Sequence, residues 1–458
     1  MPRVNFALAL HIGAGHHSTL KSKEYMELMR ETLKKAREEL DKKVAEFHEM
    51  WKRRGVRKEL HSSLDQMFCP ILTNVIANLE NSTLTNAGLS SNLTRYKSIT
   101  ECDACVMVGG TEGGKRSRWG AIGAARGIRN PIKGAEWLME RSSWNTCGNI
   151  VSRSLTEPVM LTGLGLWEKI RREREGAEKD TPQNDQTQIC SKRLLFPEIC
   201  ENPTDLDSFL VHDSAKKRWE VFNERLYDTV GAVMMVWLEE NEEDSNQTSH
   251  SDADEHALKA SYSTRARKRR RLNGGDYIYQ PSHGGPSDFC SVTGVSSGGI
   301  AMKCEGRVGE AALAGIGCYA DAHCSVSCTG AGEDIMLSFS ARNIAEQLEK
   351  DISGQEAIWN VIVRDYVSRR DLQKGAFDNP KAQPRNIMGA LVLSRDTDSE
   401  SSTPRKTRVA LHCAFTAWSM GVAHLSSFDD KIHCSIHRQS QENVGKNMFY
   451  QEINLLQS

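Results

Sequence analysis

Short apolar runs alternate with longer charged stretches along the 458 residues. This spacing predicts strands buried on both faces, interleaved with amphipathic helices. Val4–Leu10 reads as a first strand, and residues 20–58 as a long surface helix with Met26, Met29, Leu33, Leu40, Val44 and Phe47 on one stripe. A second helix is expected over 63–79, with Pro70 disturbing its start. Cys102–Val108 is strand-like, and Trp119–Gly127 and Val159–Ile170 continue the alternation. Residues 171–207 turn polar and read as a flexible loop, and a polar insert follows over about 239–288. Order resumes with a strand at Ser291–Val295, a helix at Ile335–Leu348, and late strands at Met388–Ser394 and Arg408–Thr416 around a polar loop at 396–406.

The sharpest change in pattern falls at Asp228-Thr229. A charged segment of helical spacing, Lys216–Arg225, gives way there to the apolar run Val230–Leu238. A threonine hydroxyl is a poor nucleophile unless a base stands beside it, and cutting the chain so that threonine becomes N-terminal supplies one. The freed α-amine, with a reference pKa of about 7.7 to 8.0, can accept the hydroxyl proton near neutral pH. Taken alone, Asp-Thr before a strand is equally an ordinary turn. Similarly, Gly13 and Gly15 around Ala14 let the backbone approach a ligand with its N–H groups exposed, or simply form a turn.

Composition narrows the classes. With 39% hydrophobic residues the chain can bury a substantial core, and a formal net charge of −1 provides no global field toward nucleic acid or membrane. Val4–Leu10 is too short for a membrane span, and no secretory signal is read. Thirteen scattered cysteines suit reduced thiols in the cytosol or nucleus. Cys102 and Cys105 lack a second pair, so metal binding is not expected. The basic block Arg265, Arg267, Lys268, Arg269, Arg270 and Arg271 reads as a nuclear-import signal in an accessible insert, against a plain solvated charge run. Location in nucleus and cytoplasm is expected from it.

Six motifs in order carry a family resemblance: His-x-Gly-Ala-Gly from His11, Thr-Asn-Ala-Gly from Thr85, Asp-Thr-Val-Gly-Ala-Val from Asp228, Ser-Ser-Gly-Gly from Ser296, Gly-Arg-Val-Gly from Gly306, and Ser-Cys-Thr-Gly-x-Gly-Glu from Ser327. The chain resembles the type 2 asparaginase family, with insertions at about 44–60, 239–288 and 396–406. The resemblance implies an N-terminal nucleophile hydrolase, an α+β four-layer αββα sandwich made as a precursor that cuts itself between Asp228 and Thr229. The products would be an α subunit, 1–228, and a β subunit, 229–458.

Within that family, His16-His17-Ser18 with Lys21, Ser91-Asn92-Leu93 and Ser296-Ser297 resemble the threonine aspartases, which cut nuclear regulators after aspartate. The expected activity is therefore an autoprocessing endopeptidase acting on protein substrates with Asp at the cut. The alternatives are an L-asparaginase/isoaspartyl peptidase and an inactive nuclear interaction protein. The resemblance implies Thr229 as nucleophile, Ser297 to orient its amine, Thr329 and Gly330 as oxyanion donors, and Asn86 and Gly13 around the nucleophile. Arg307 and Lys21 are the cations for a substrate carboxylate. Glu310 stands where asparaginases hold an aspartate for the substrate amine. No cofactor is implied, and pairing into an (αβ)2 dimer is.

Overall fold

The first strand explains why the molecule has layers. In the computed structural model, the described residues are 2–54, 64–109, 117–142, 158–179, 196–221, 229–239, 289–350, 352–368, 386–397 and 407–455. Strand β1, Arg3–Gly15, is buried along almost its whole length. Successive side chains on a strand point to opposite faces. Accordingly Leu8, Leu10 and Ile12 enter one core while Ala7, Ala9 and Ala14 enter another. β5, Val230–Glu239, divides the same way: Val230, Ala232, Met234 and Val236 go to the first core, and Val233, Met235 and Trp237 to the second.

These two strands pair antiparallel at the middle of an eight-stranded sheet. Its other members are β2 (Cys102–Val108), β3 (Arg118–Ala125), β4 (Met160–Thr162), β6 (Phe289–Ser297), β11 (Ser419–Ser426) and β12 (Asp429–Arg438), and the order is β12-β11-β1-β5-β6-β2-β3-β4. A second sheet orders β13 (Phe449–Asn454), β10 (Thr407–Phe415), β9 (Met388–Thr397), β8 (Cys324–Gly330) and β7 (Cys318–Ala320). The second core lies between the sheets. The first core lies between the larger sheet and the helices α1 (Ser22–Arg54), α2 (Leu64–Glu80), α3 (Pro131–Arg141) and α4 (Gly165–Lys179). A third core joins the smaller sheet to α6 (Gly332–Ser338), α7 (Ser340–Leu348) and α8 (Gly354–Trp359), which runs on into a π-helical turn over Asn360–Val367. The layers are therefore helix, sheet, sheet, helix, the αββα sandwich expected from the motifs.

Four details differ from expectation or extend it. Residues 171–179, read as flexible loop, belong to α4, where Lys169 and Glu173, four residues apart, pair at 3.0 Å. Their polarity is that of a solvated helix face. A short helix α5, Asp213–Val221, follows nearer the junction. The helix expected at 335–348 breaks at Phe339, whose φ of 48° ends α6 and starts α7. Pro70 lies inside α2 and does not start it; Thr73 Oγ1 donates to its carbonyl at 3.0 Å. Asp228, the basic block 265–271 and most of the 239–288 insert lie outside the described residues.

Glu80, at the end of α2, carries a buried carboxylate. Its Oε1 accepts the Ile132 N–H at 2.9 Å, while Oε2 faces Ser296 and Asn130 without a well-formed hydrogen bond. Burial pushes this carboxyl up to about 7. A carboxyl raised in the folded state contributes stability that is full below its unfolded pKa of about 4.3 and is lost as pH rises through 7. Glu80→Gln keeps the acceptor and removes that loss. Thermal unfolding should show the variant stabilised by about 3 kcal/mol at pH 8 and little changed at pH 4; an equal effect at both pH values would mean the charge is not the cause.

Candidate functional site

Thr229 lies immediately before β5 and is 2% exposed. Pairing of Val230 with Ser296 brings the end of β6 beside it, and pairing of Ser297 with Asp103 adds β2. Thr329 and Gly330 close β8 in the other sheet. A cleft lined by Asn86, Thr229, Ser297, Arg307, Glu310 and Gly330, with Gly299, Ile300 and Gly332, opens where these strand ends meet. Its free volume is about 10 Å³, room for roughly one water.

Thr229 Oγ1 lies 2.7 Å from Glu310 Oε1 and 3.2 Å from Ser297 Oγ. A threonine has a single hydroxyl proton. The carboxylate, at the shorter distance, takes it, which leaves Ser297 free to donate its own proton to the same oxygen. Ser297 Oγ in turn accepts the Gly299 N–H at 3.0 Å. Asn86 builds the wall beside this pair: its Nδ2 donates to the Gly299 carbonyl at 2.8 Å, and its Oδ1 accepts the Asn92 N–H at 2.8 Å.

The charged residues arrive on one loop, Lys303 to the short 3₁₀ turn Glu310–Ala312. Asp103, buried on β2, pins it: Oδ2 accepts the Gly309 N–H and Oδ1 the Ala124 N–H, at 2.8 and 2.7 Å. Lys303, also buried, donates to the Glu101 carbonyl at 2.5 Å, and its charge opposes the burial that raises the Asp103 pKa. Burial also raises Glu310, opposed by the Thr229 hydrogen bond and the Arg307 charge. Arg307 binds Glu333 bidentately, Nε and Nη2 donating at 2.8 and 2.7 Å. The i,i+3 pairing of Arg307 with Glu310 that the spacing allows is not the one formed.

Gly332 leaves the gap between these charges open, because a Cβ there would stand 2.8 Å from Arg307 Nη2 and in collision with Glu310 Oε2. Gly330 adopts φ of 138°, and a Cβ there would strike the Ile387 carbonyl.

The remaining sequence candidates lie outside the cleft. Thr329 is buried behind Gly330, where its hydroxyl accepts the Ala14 N–H at 3.2 Å. Gly13, with φ of 103°, forms the bulge in β1 that delivers that N–H. Lys21 is exposed at the start of α1 and is absent from the cleft lining, so the structure does not support it as a second carboxylate cation. Cys102 meets Ser91 at 3.2 Å, whereas Cys105 enters a separate small core against β7.

Three participants escaped the sequence reading. Asp103 and Glu333 are charges whose partners are distant in the chain. His11 had a signal, as the first residue of the Gly13 motif. It is buried and neutral, held down to about 3 by loss of solvent, with Nε2 2.7 Å from Ser327 Oγ and Nδ1 turned toward the Thr229 backbone.

The sequence model of the asparaginase family matches residues 290–376, a span that carries Ser297, Arg307, Glu310 and Gly330. The chain is similar to a probable isoaspartyl peptidase/L-asparaginase 2 of Arabidopsis thaliana, 41% identical over 85 residues, 18% of this chain and 24% of the relative. It is also similar to an isoaspartyl peptidase of Escherichia coli, 28% identical over 280 residues (61% and 62%), and to an isoaspartyl peptidase/L-asparaginase of Xenopus laevis, 27% over 283 residues (61% and 62%). The chain thus spans less than two thirds of the length of each. These matches make the chain similar, over part of its length, to type 2 asparaginases and isoaspartyl peptidases, and its helix-sheet-sheet-helix layering agrees with the sandwich that the motifs led us to expect.

Because Asp103 accepts the Gly309 N–H of the loop and the Ala124 N–H of β3, Asp103→Ala strands two buried N–H groups. A loss of about 2 to 4 kcal/mol in urea unfolding is expected, with faster amide exchange at Gly309 and Ala124. Unchanged exchange at Gly309 would show that the loop is held by something else.

Proposed function

We propose that this chain is an N-terminal-threonine hydrolase of β-aspartyl amides, acting on isoaspartyl peptides and L-asparagine, and active once the chain is cut before Thr229. The observation that carries the reading is the buried Thr229 hydroxyl between Glu310 and Ser297, with the Arg307 guanidinium and the Gly332 gap beside it. The names of the similar proteins favour the same chemistry.

An α-amino acid head group offers a carboxylate and an ammonium a few ångströms apart, which match a guanidinium beside a carboxylate. Arg307 receives the α-carboxylate and Glu310 the α-ammonium. The β-carbonyl then faces Thr229, whose freed α-amine takes the hydroxyl proton as Oγ attacks the carbonyl carbon. The Gly330 N–H, with the Thr329 hydroxyl behind it, is the candidate donor to the developing oxyanion. The leaving amine takes the proton back from the α-amine, and water then hydrolyses the ester on Thr229. Glu333 occupies the Arg307 fork, so a substrate carboxylate must displace it; at 56% exposure its side chain can turn into solvent.

A second reading, an endopeptidase cutting proteins after aspartate, is favoured by Ser91-Asn92-Leu93 and Ser297, of which Ser297 meets the Thr229 hydroxyl and Asn92 supports Asn86 in the cleft wall. There Arg307 would hold the aspartate side chain. The exposed position of Lys21 weighs against it.

The test compares kcat/KM for L-asparagine, a β-aspartyl dipeptide and an Asp-Gly protein segment, in wild type, Arg307→Lys and Arg307→Ala. The first two substrates should be turned over and the third ignored. Arg307→Ala should cost roughly 2 to 4 kcal/mol, a loss of about 30- to 1000-fold, and lysine should recover only part because it keeps the charge without the fork. Cleavage of the protein segment alone would replace this reading with the endopeptidase one.

A further inference from the structure

Before the cut, Thr229 has no α-amine, because that nitrogen is tied into the peptide bond with residue 228. The base proposed for catalysis is missing in the reaction that creates it. Glu310 Oε1 accepts the Thr229 hydroxyl at 2.7 Å in a buried site, and it is the one carboxylate to which that hydroxyl is bonded among the described residues. We infer that Glu310 is the general base of the self-cleavage step. The inference rests on the hydrolase reading above and extends it, since that reading gives Glu310 only an ammonium to bind.

The steps balance without any outside reagent except water. The Thr229 O–H proton passes to Glu310 Oε1 as Oγ bonds to the carbonyl carbon of residue 228. The C–N bond to Thr229 breaks, the departing nitrogen takes the proton from Glu310, and an ester links residue 228 to Oγ. Water hydrolyses the ester, restoring the hydroxyl and leaving a free α-amine and a carboxylate. Glu310, again ionised, is then free to receive a substrate ammonium.

Geometry and surroundings suit this role. A general base must reach the proton it takes, about 2.6 to 3.2 Å between heavy atoms. An aspartate at 310 would stop short by one carbon, about 1.5 Å. The charged and titratable groups facing Glu310 are Arg307 on its own loop, Asp103 on β2 and Cys328 on β8. The Arg307 cation keeps the carboxylate available, while burial makes it more basic than a solvated glutamate.

The experiment follows self-cleavage of the freshly synthesised full chain by gel and intact mass, across pH, in wild type, Glu310→Gln, Glu310→Asp and Asp228→Asn, with thermal unfolding of each. Wild type should cut faster as pH rises through the titration of Glu310, then level off. Glu310→Gln should fold and cut at least about 100-fold more slowly with a flat profile, Glu310→Asp should be slowed less, and Asp228→Asn should keep the wild-type profile. If Glu310→Gln does not fold, slowed cutting by a folded Glu310→Asp carries the inference, and wild-type speed in it overturns it. A Glu310→Gln variant that cuts at the wild-type rate, or loss of the pH dependence in Asp228→Asn instead, overturns the role of Glu310 and leaves the hydrolase reading standing. A wild-type chain that never cuts overturns both.

Discussion

The structure depends on giving a small set of charge-bearing side chains partners at the seam between two sheets. Glu310, Asp103 and Lys303 are buried and Arg307 nearly so, and each would be costly without a partner. The arrangement works because every charge is answered locally: Lys303 by Asp103 and the Glu101 carbonyl, Asp103 by two backbone N–H groups, Arg307 by Glu333, and Glu310 by Thr229 and Arg307. Removing one member leaves an uncompensated buried charge. The hydroxyl at the centre is thus held by a network whose integrity requires β2, β5, β6 and β8 to end together.

That convergence follows from the layer plan. β1 and β5 place small or apolar residues on both faces, so the two sheets can meet face to face, and the polar groups are confined to the strand ends. Small residues are required where charges approach: Gly332 lies between Arg307 and Glu310, and Gly330 crosses the Ile387 carbonyl. The cleft in the uncut chain has room for about one water, so opening it for substrate requires movement. Exposed Glu333 is the member of the network able to move at least cost.

Much of this was legible in the residues. The apolar runs at Val4–Leu10 and Val230–Leu238 marked the two central strands, since burial on both faces leaves a continuous hydrophobic signature. Thr229, Ser297, Arg307, Glu310, Asn86 and Gly330 stood in motifs, and the fold brings all six to one cleft. Lys21, exposed just before α1, is not among the residues that line the cleft, and a sequence pattern by itself carries no direction for such a side chain. Charge partners such as Asp103 and Glu333 were not legible, because their pairing is fixed by strand register and loop path. The loop read into 171–179 failed for a different reason: high charge suits a solvated helix face as well as a loop.

The central claim is that the buried Thr229 hydroxyl is a nucleophile exposed by chain cleavage. N-terminal sequencing of the purified protein, set against Thr229→Ala, tests it most directly. The account predicts two fragments of 228 and 230 residues in wild type, the second beginning at Thr229, and one intact chain of 458 residues in the variant. An intact wild-type chain with hydrolase activity, or a Thr229→Ala chain cut at the same bond, would contradict it.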